Sequence, residues 1–159
     1  MKMSPIEAST LQDYLYLTTL DAYCPDAFIG GRQPAPINAH EIWQFAVEMI
    51  YRCLRCNLLH LDEKWIISHD IDGHYGFARH LANHNPFDAK DFEKYGALYW
   101  IEPELTASEE TRDLIENFHI DLSSNACEPL MERIEGSFER HGMKFGEILI
   151  PIDMEKGKR

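Results

Sequence analysis

Cysteine is scarce in this chain, and long apolar runs are missing from it. Four cysteines among 159 residues are too few for the disulfide scaffold of a small secreted domain, and they read as a reducing, cytoplasmic setting. No stretch approaches the roughly 20 apolar residues that a membrane-spanning helix needs. The opening MKMSPIEAST has no apolar run behind its lysine, which is unlike a secretory signal. Positive charge is short as well: 15 Lys and Arg face 27 Asp and Glu, a net charge of −12. Direct binding to nucleic acid or to an anionic membrane is therefore not expected, because both need a cationic surface.

The familiar catalytic motifs are also lacking. Gly30–Gly31 is followed by no Lys-Ser or Lys-Thr pair, so it is not a phosphate loop. There is no Gly-x-Ser-x-Gly nucleophile elbow. Cys53 and Cys56 form Cys-x-x-Cys inside an apolar helical stripe, not at the helix N-terminus that would activate a thiolate. Cys24 and Cys127 are solitary and supply no second pair for a zinc ribbon. Asp70, Asp72 and Gly73 open like a calcium loop, but its twelfth position falls on Leu81 or Asn83 where a glutamate is required. No cofactor is implied.

What the chain does contain is helical patterning in a length that suits one domain over residues 1–159. Ser4, Pro5 and Glu7 stand at N-cap, N1 and N3 of a first helix, a capping box with proline where its missing N–H costs nothing. Leu11, Tyr14 and Leu15 begin its apolar stripe, Thr18 interrupts it, and Pro25 sets its end near Tyr23. Residues 24–37 read as a loop. Asn38 and Glu41 then start a second helix, with Ile42, Phe45, Ala46, Met49, Ile50, Cys53 and Leu54 at the spacing of a buried face and Asn57 as a left-handed C-cap.

Beyond it, Leu58–Leu61 and Trp65–Ile67 are short apolar runs, expected as a hairpin or a helix-to-loop turn. Helices follow near Gly76–Ala82, Ala89–Tyr95, Thr106 (capped with Glu109) through Phe118, and Pro129–His141 closed by Gly142. Leu98–Ile101 and Ile148–Ile152 read as strands, and residues 155–159 as a frayed charged tail. The expected class is α+β and mostly α-helical, with about five to six helices and a few short strands.

Two constellations invite a functional reading. His69, Asp70, Asp72, His74, His80 and His84 crowd together. His80 and His84, at i and i+4, would project from one helix face as two metal ligands. Leu81 replaces the glutamate that a zinc hydrolase carries beside its first histidine, and a third ligand would have to come from Asp70 or Asp72. A small metal-dependent hydrolase or metal-binding regulator is the enzymatic alternative; ordinary surface histidines with helix-capping aspartates are the plain one.

The second constellation is acidic. Between Glu102 and Asp121, the residues Glu102, Glu104, Glu109, Glu110, Asp113, Glu116 and Asp121 face Arg112 alone, and Glu128, Glu132, Glu135 and Glu139 form another row. Such a field steers a basic partner, or it is a solvated face that keeps the chain soluble. Trp65 and Trp100 are either core residues or exposed anchors for a partner.

The segments His40-Glu41-Ile42-Trp43-Gln44-Phe45, Arg52-Cys53-Leu54-Arg55-Cys56-Asn57-Leu58-Leu59 and Phe77-Ala78-Arg79-His80-Leu81-Ala82-Asn83 with Asn85-Pro86-Phe87-Asp88 carry a resemblance. A small acidic chain with such an amphipathic helix, tryptophan near its start and a leucine-rich exit, looks like the immunity proteins of bacterial polymorphic-toxin and contact-dependent growth inhibition systems. The resemblance implies a cytoplasmic, non-enzymatic protein that binds the toxin domain of a cognate effector, commonly a basic nuclease, and blocks it. It transfers no binding residues. The local charge density nominates Glu102, Glu104, Glu109, Glu110, Asp113 and Glu116, with Trp100 as the aromatic anchor. A protein-interaction domain without inhibitory action is the remaining alternative.

Overall fold

The computed structural model describes residues 1–30 and 35–154. The expected frayed tail at 155–159, and Gly31 and Pro34 of the expected loop, lie outside the described residues. The protein is mostly helical with one small antiparallel sheet, an α+β class, and it has more helical segments than the sequence suggests.

Helix α1 (Pro5–Leu20) starts at the expected capping box: the Ser4 hydroxyl accepts the Glu7 N–H, and the Glu7 carboxylate accepts the Ser4 N–H. Thr18 does not break its buried face, because the hydroxyl is fully buried and donates to the Leu15 carbonyl. The helix ends at Leu20, short of the expected Tyr23. Tyr23 is drawn out of it by a two-way backbone pairing with Leu105, at 3.0 and 2.9 Å. A single turn, α2 (Asp26–Ile29), then brings Phe28 against Tyr14.

Helix α3 (Ala39–Arg55) is the central element. Trp43, Ala46, Val47, Met49, Ile50, Cys53 and Leu54 are buried along it, and the Trp43 indole N–H donates to the Leu81 carbonyl. Asn38 precedes it but makes no capping hydrogen bond. The C-terminus closes as foreseen: Asn57 sits at φ 60°, its N–H bonds Leu54 O, and the Leu58 N–H bonds Cys53 O. Those two reverse bonds are a Schellman motif, which satisfies carbonyls a helix end would leave bare.

The chain leaves that motif directly into β1 (Leu59–Leu61). Its partner is not the Trp65–Ile67 run but the distant β2 (Leu105–Ala107), with Leu59 opposite Ala107 and Leu61 opposite Leu105. Trp65–Ile67 belongs instead to α4 (Glu63–Ser68), capped by the Asp62 carboxylate. Helix α5 (Gly73–Asn83) packs on α3 through Phe77, Ala78, Leu81 and Ala82.

A continuous helical run follows: α6 (Ala89–Asp91), a π-helical turn (Phe92–Gly96) and α7 (Ala97–Trp100). The expected strand Leu98–Ile101 is therefore helical through Trp100, with Ile101 as the C-cap. Its aromatic, β-favouring residues are overridden by packing on α5, as tertiary context overrides propensity. Helix α8 (Glu109–Asn117) is capped by Ser108, not Thr106, since Thr106 is taken up in β2. Helix α9 (Glu128–Arg140) also ends in a Schellman motif, at Gly142, φ 72°. Part of its acidic row is used internally: both Glu135 oxygens accept the Lys2 N–H.

The expected strand Ile148–Ile152 pairs with no strand among the described residues. Residues 143–152 are held instead by three side chains one turn apart on α3. All five N–H groups of buried Arg52 find acceptors: Met143, Lys144 and Glu147 carbonyls, and the Glu48 carboxylate and carbonyl. The Glu48 carboxylate accepts the Leu149 and Ile150 N–H groups. Gln44 donates to Ile150 O and accepts from Ile152 N. Backbone polar groups that a sheet would pair are satisfied here by side chains, which lets a non-repetitive segment lie against the core.

Candidate functional site

Helix α8 divides cleanly into two faces. Ser108 and Thr111 root it: the Ser108 N–H and the Thr111 hydroxyl both donate to the Leu58 carbonyl, at 3.1 and 2.7 Å. Leu114 and Ile115 enter the core. Glu109, Glu110, Asp113 and Glu116 are exposed. Arg112, the sole cation of this stretch, reaches back to donate to the Thr19 carbonyl at the end of α1.

Three of the nominated acids, Glu109, Glu110 and Asp113, line one concave groove of about 590 Å³. The other walls are Asn57 and His60 from the α3–β1 corner, Asn117 from the end of α8 and Arg133 from α9. Those four were not singled out as site residues by sequence reasoning. Asn57 was visible only as a helix cap, and His60, Asn117 and Arg133 carry no local motif.

The nominated set does not form one patch. Glu102 stands at the α7–β2 connection with its carboxylate 3.7 Å from His69 Nε2. Glu104 lies next to β2, where its carbonyl accepts the Asp62 N–H. Glu102, Glu104 and Glu116 are exposed but do not line the groove. Trp100 is corrected outright as an anchor. It is 0% exposed, and its indole N–H donates to the His84 carbonyl at 2.7 Å. Trp65 is buried too, its ring stacked on His69 at 4.7 Å between centroids.

The histidines are absorbed by packing. His80 lies on α5 and His84 is its extended C-cap, and both imidazoles lie against the Tyr99 ring, at 4.3 and 5.1 Å and nearly parallel. His84 Nδ1 faces Asp91 at 3.0 Å, and His69 Nδ1 is within hydrogen-bond distance of the Trp65 carbonyl. Asp70 sits exposed on a turn at φ 52°, and Asp72 is the exposed N-cap of α5. Among the described residues, no three His, Cys, Asp or Glu stand together as a metal site, so neither aspartate completes the His80–His84 pair. Burial, then the Arg55 and His60 charges, push the His74 pKa down.

The cysteine reading stands on the same kind of observation. Cys53 is buried, and burial, with Cys56 beside it, raises its thiol pKa far above the ordinary range. Cys56 is buried as well, its thiol directed at the Ser137 carbonyl. Thiols in such surroundings stay protonated and unreactive.

Among the described residues no helix is long and apolar enough to cross a membrane. Comparison with family models, with curated proteins and with solved structures finds no match to this chain.

Proposed function

We propose that this protein is an immunity protein: it binds a cognate toxin domain of basic, nuclease-like surface in the cytoplasm and neutralises it. One observation carries the reading. Helix α8 presents Glu109, Glu110 and Asp113 around a concave groove in which they outnumber Arg133, while Arg112, their neighbour on α8, is turned away to α1. A nuclease holds phosphate on a cationic face, so an acidic concave surface competes for the same electrostatic niche and gains a fast on-rate from the long-range field. A metal-hydrolase reading has less support, since His80 and His84 lie against Tyr99, His84 faces Asp91 and His69 faces the Trp65 carbonyl.

The test is capture of tagged protein from its native source at low salt, followed by assay of the eluted partner. The reading expects a one-to-one complex with a basic toxin domain whose activity is suppressed until the complex is dissociated by salt. A stable partner that stays fully active in the complex would instead make the protein a non-inhibitory interaction domain.

A further inference from the structure

An apolar trough runs between the first turns of α1 and α3 and the 143–152 segment. It consists of two adjoining cavities of about 480 and 380 Å³ that share Glu7, Glu41 and Phe45, each within the size range of binding pockets. Phe28 and Ile42 floor one cavity; Met49, Phe145, Ile148 and Met154 shape the other. Ile42 and Phe45 fall on the stripe expected to be core, yet both are only partly covered. Apolar side chains at its rim are left in water: Ile6 is 80%, Ile148 63% and Met154 51% exposed.

Apart from His40 and the buried Arg52, the ionisable side chains lining this trough among the described residues are carboxylates. Glu7 and Glu41 stand where the two cavities meet, and Glu147 is on the wall of the larger one. The cation in the lining, Arg52, has every N–H engaged and is buried. Glu7 spends one oxygen on the Ser4 N–H, and Glu41 makes no hydrogen bond or ion pair with a described residue. Two apolar cavities with carboxylates between them match a segment that carries two apolar anchors on one face and lysine or arginine beside them. The same carboxylates repel an anionic lipid surface.

We propose that this trough is a docking site for a basic amphipathic helix of a protein partner. It is a second surface, separate from the α8 groove, and it does not depend on the immunity reading. The probe is a fluorescein-labelled amphipathic Leu/Lys helical peptide, followed by anisotropy and by methyl chemical shifts. Saturable binding is expected, with the largest shifts at Met49, Ile148 and Met154, and a Leu/Glu peptide should not bind. Glu41→Lys with Glu147→Lys, and separately Ile148→Asp, each alter exposed side chains and should weaken binding by about tenfold or more. The Glu109→Lys, Glu110→Lys, Asp113→Lys variant should hold its affinity for the probe within about threefold, since only the general field changes. Absence of saturable binding, unchanged affinity in either trough variant, or shifts centred on α8 would overturn the proposal.

Discussion

Helices α3 and α8 use charge in opposite ways. On α3, Glu48 and Arg52 are buried, 6% and 1% exposed, and every side-chain polar atom of the pair is bonded, either to the other member or to the strap formed by residues 143–152. On α8, Glu109, Glu110, Asp113 and Glu116 are exposed and form no ion pair with a described residue, although Arg133 lines the same groove as the first three. The first arrangement is a structural joint, since a buried charge is tolerated only when paired and hydrogen-bonded. The second adds little to folding. Surface ion pairs contribute at most about 1 kcal/mol each, so these acids are free to serve the partner surface proposed above.

The sharpest way to break that contrast is at the joint. Arg52→Met strands the Glu48 carboxylate without a counter-charge and leaves three strap carbonyls bare. It should cost about 3–5 kcal/mol by urea denaturation. The paired replacement Glu48→Leu with Arg52→Met should not restore stability, although apolar substitution of a buried pair often does. Here the Leu149 and Ile150 N–H groups would still lose their acceptors. Full recovery in the double variant would mean that the pair does not hold the strap. Gln44→Ala, which frees Ile150 O and Ile152 N, should cost about 1–3 kcal/mol and raise amide exchange within residues 149–152.

At α8 the expectation reverses. Lysine at Glu109, Glu110 and Asp113 should move the unfolding free energy by no more than about 0.5 kcal/mol per site, as read by the same denaturation curve. A loss comparable with Arg52→Met would show that these acids are structural after all.

The smallest effect concerns pH. The His74 pKa is lowered in the fold, chiefly by burial and then by the Arg55 and His60 charges, so the unfolded chain binds the proton more readily. Its contribution is fully present above the unfolded value of about 6.5 and declines as pH falls through the lowered folded value. His74→Gln should flatten that slight acid-side slope in a stability–pH series; an unchanged slope would assign it to other groups.

The contrast also explains how far sequence alone reaches. The Ser4–Glu7 capping box, the buried stripe of α3, and the left-handed closures at Asn57 and Gly142 are local devices, and each was legible from a few neighbouring residues. The pairing of Leu59–Leu61 with Leu105–Ala107 was not, because it joins runs separated by four helical segments and the π turn. The strap was equally hidden. Its partners Gln44, Glu48 and Arg52 resemble an ordinary polar helix face until the distant segment that they bind is known. Trp100 and Tyr99 favour strands by type but fold as helix, one against the His84 carbonyl and the other against two imidazoles.

For the candidate site, the exposed acids of α8 were visible as a run of one sign. That only Glu109, Glu110 and Asp113 share a groove, with Asn57, His60, Asn117 and Arg133, depends on three separate elements meeting. No local pattern encodes such a meeting.

The most direct measurement of the central claim is a side-by-side capture from the native source at low salt, with wild-type protein and the folded Glu109→Lys, Glu110→Lys, Asp113→Lys variant as baits, quantified by mass spectrometry. The account predicts that wild type retains a basic toxin domain at a one-to-one ratio and that the variant retains less than about a tenth as much, because like charges across an interface cost several kcal/mol. Equal recovery of that partner by both baits would contradict it and remove the α8 groove from the interface.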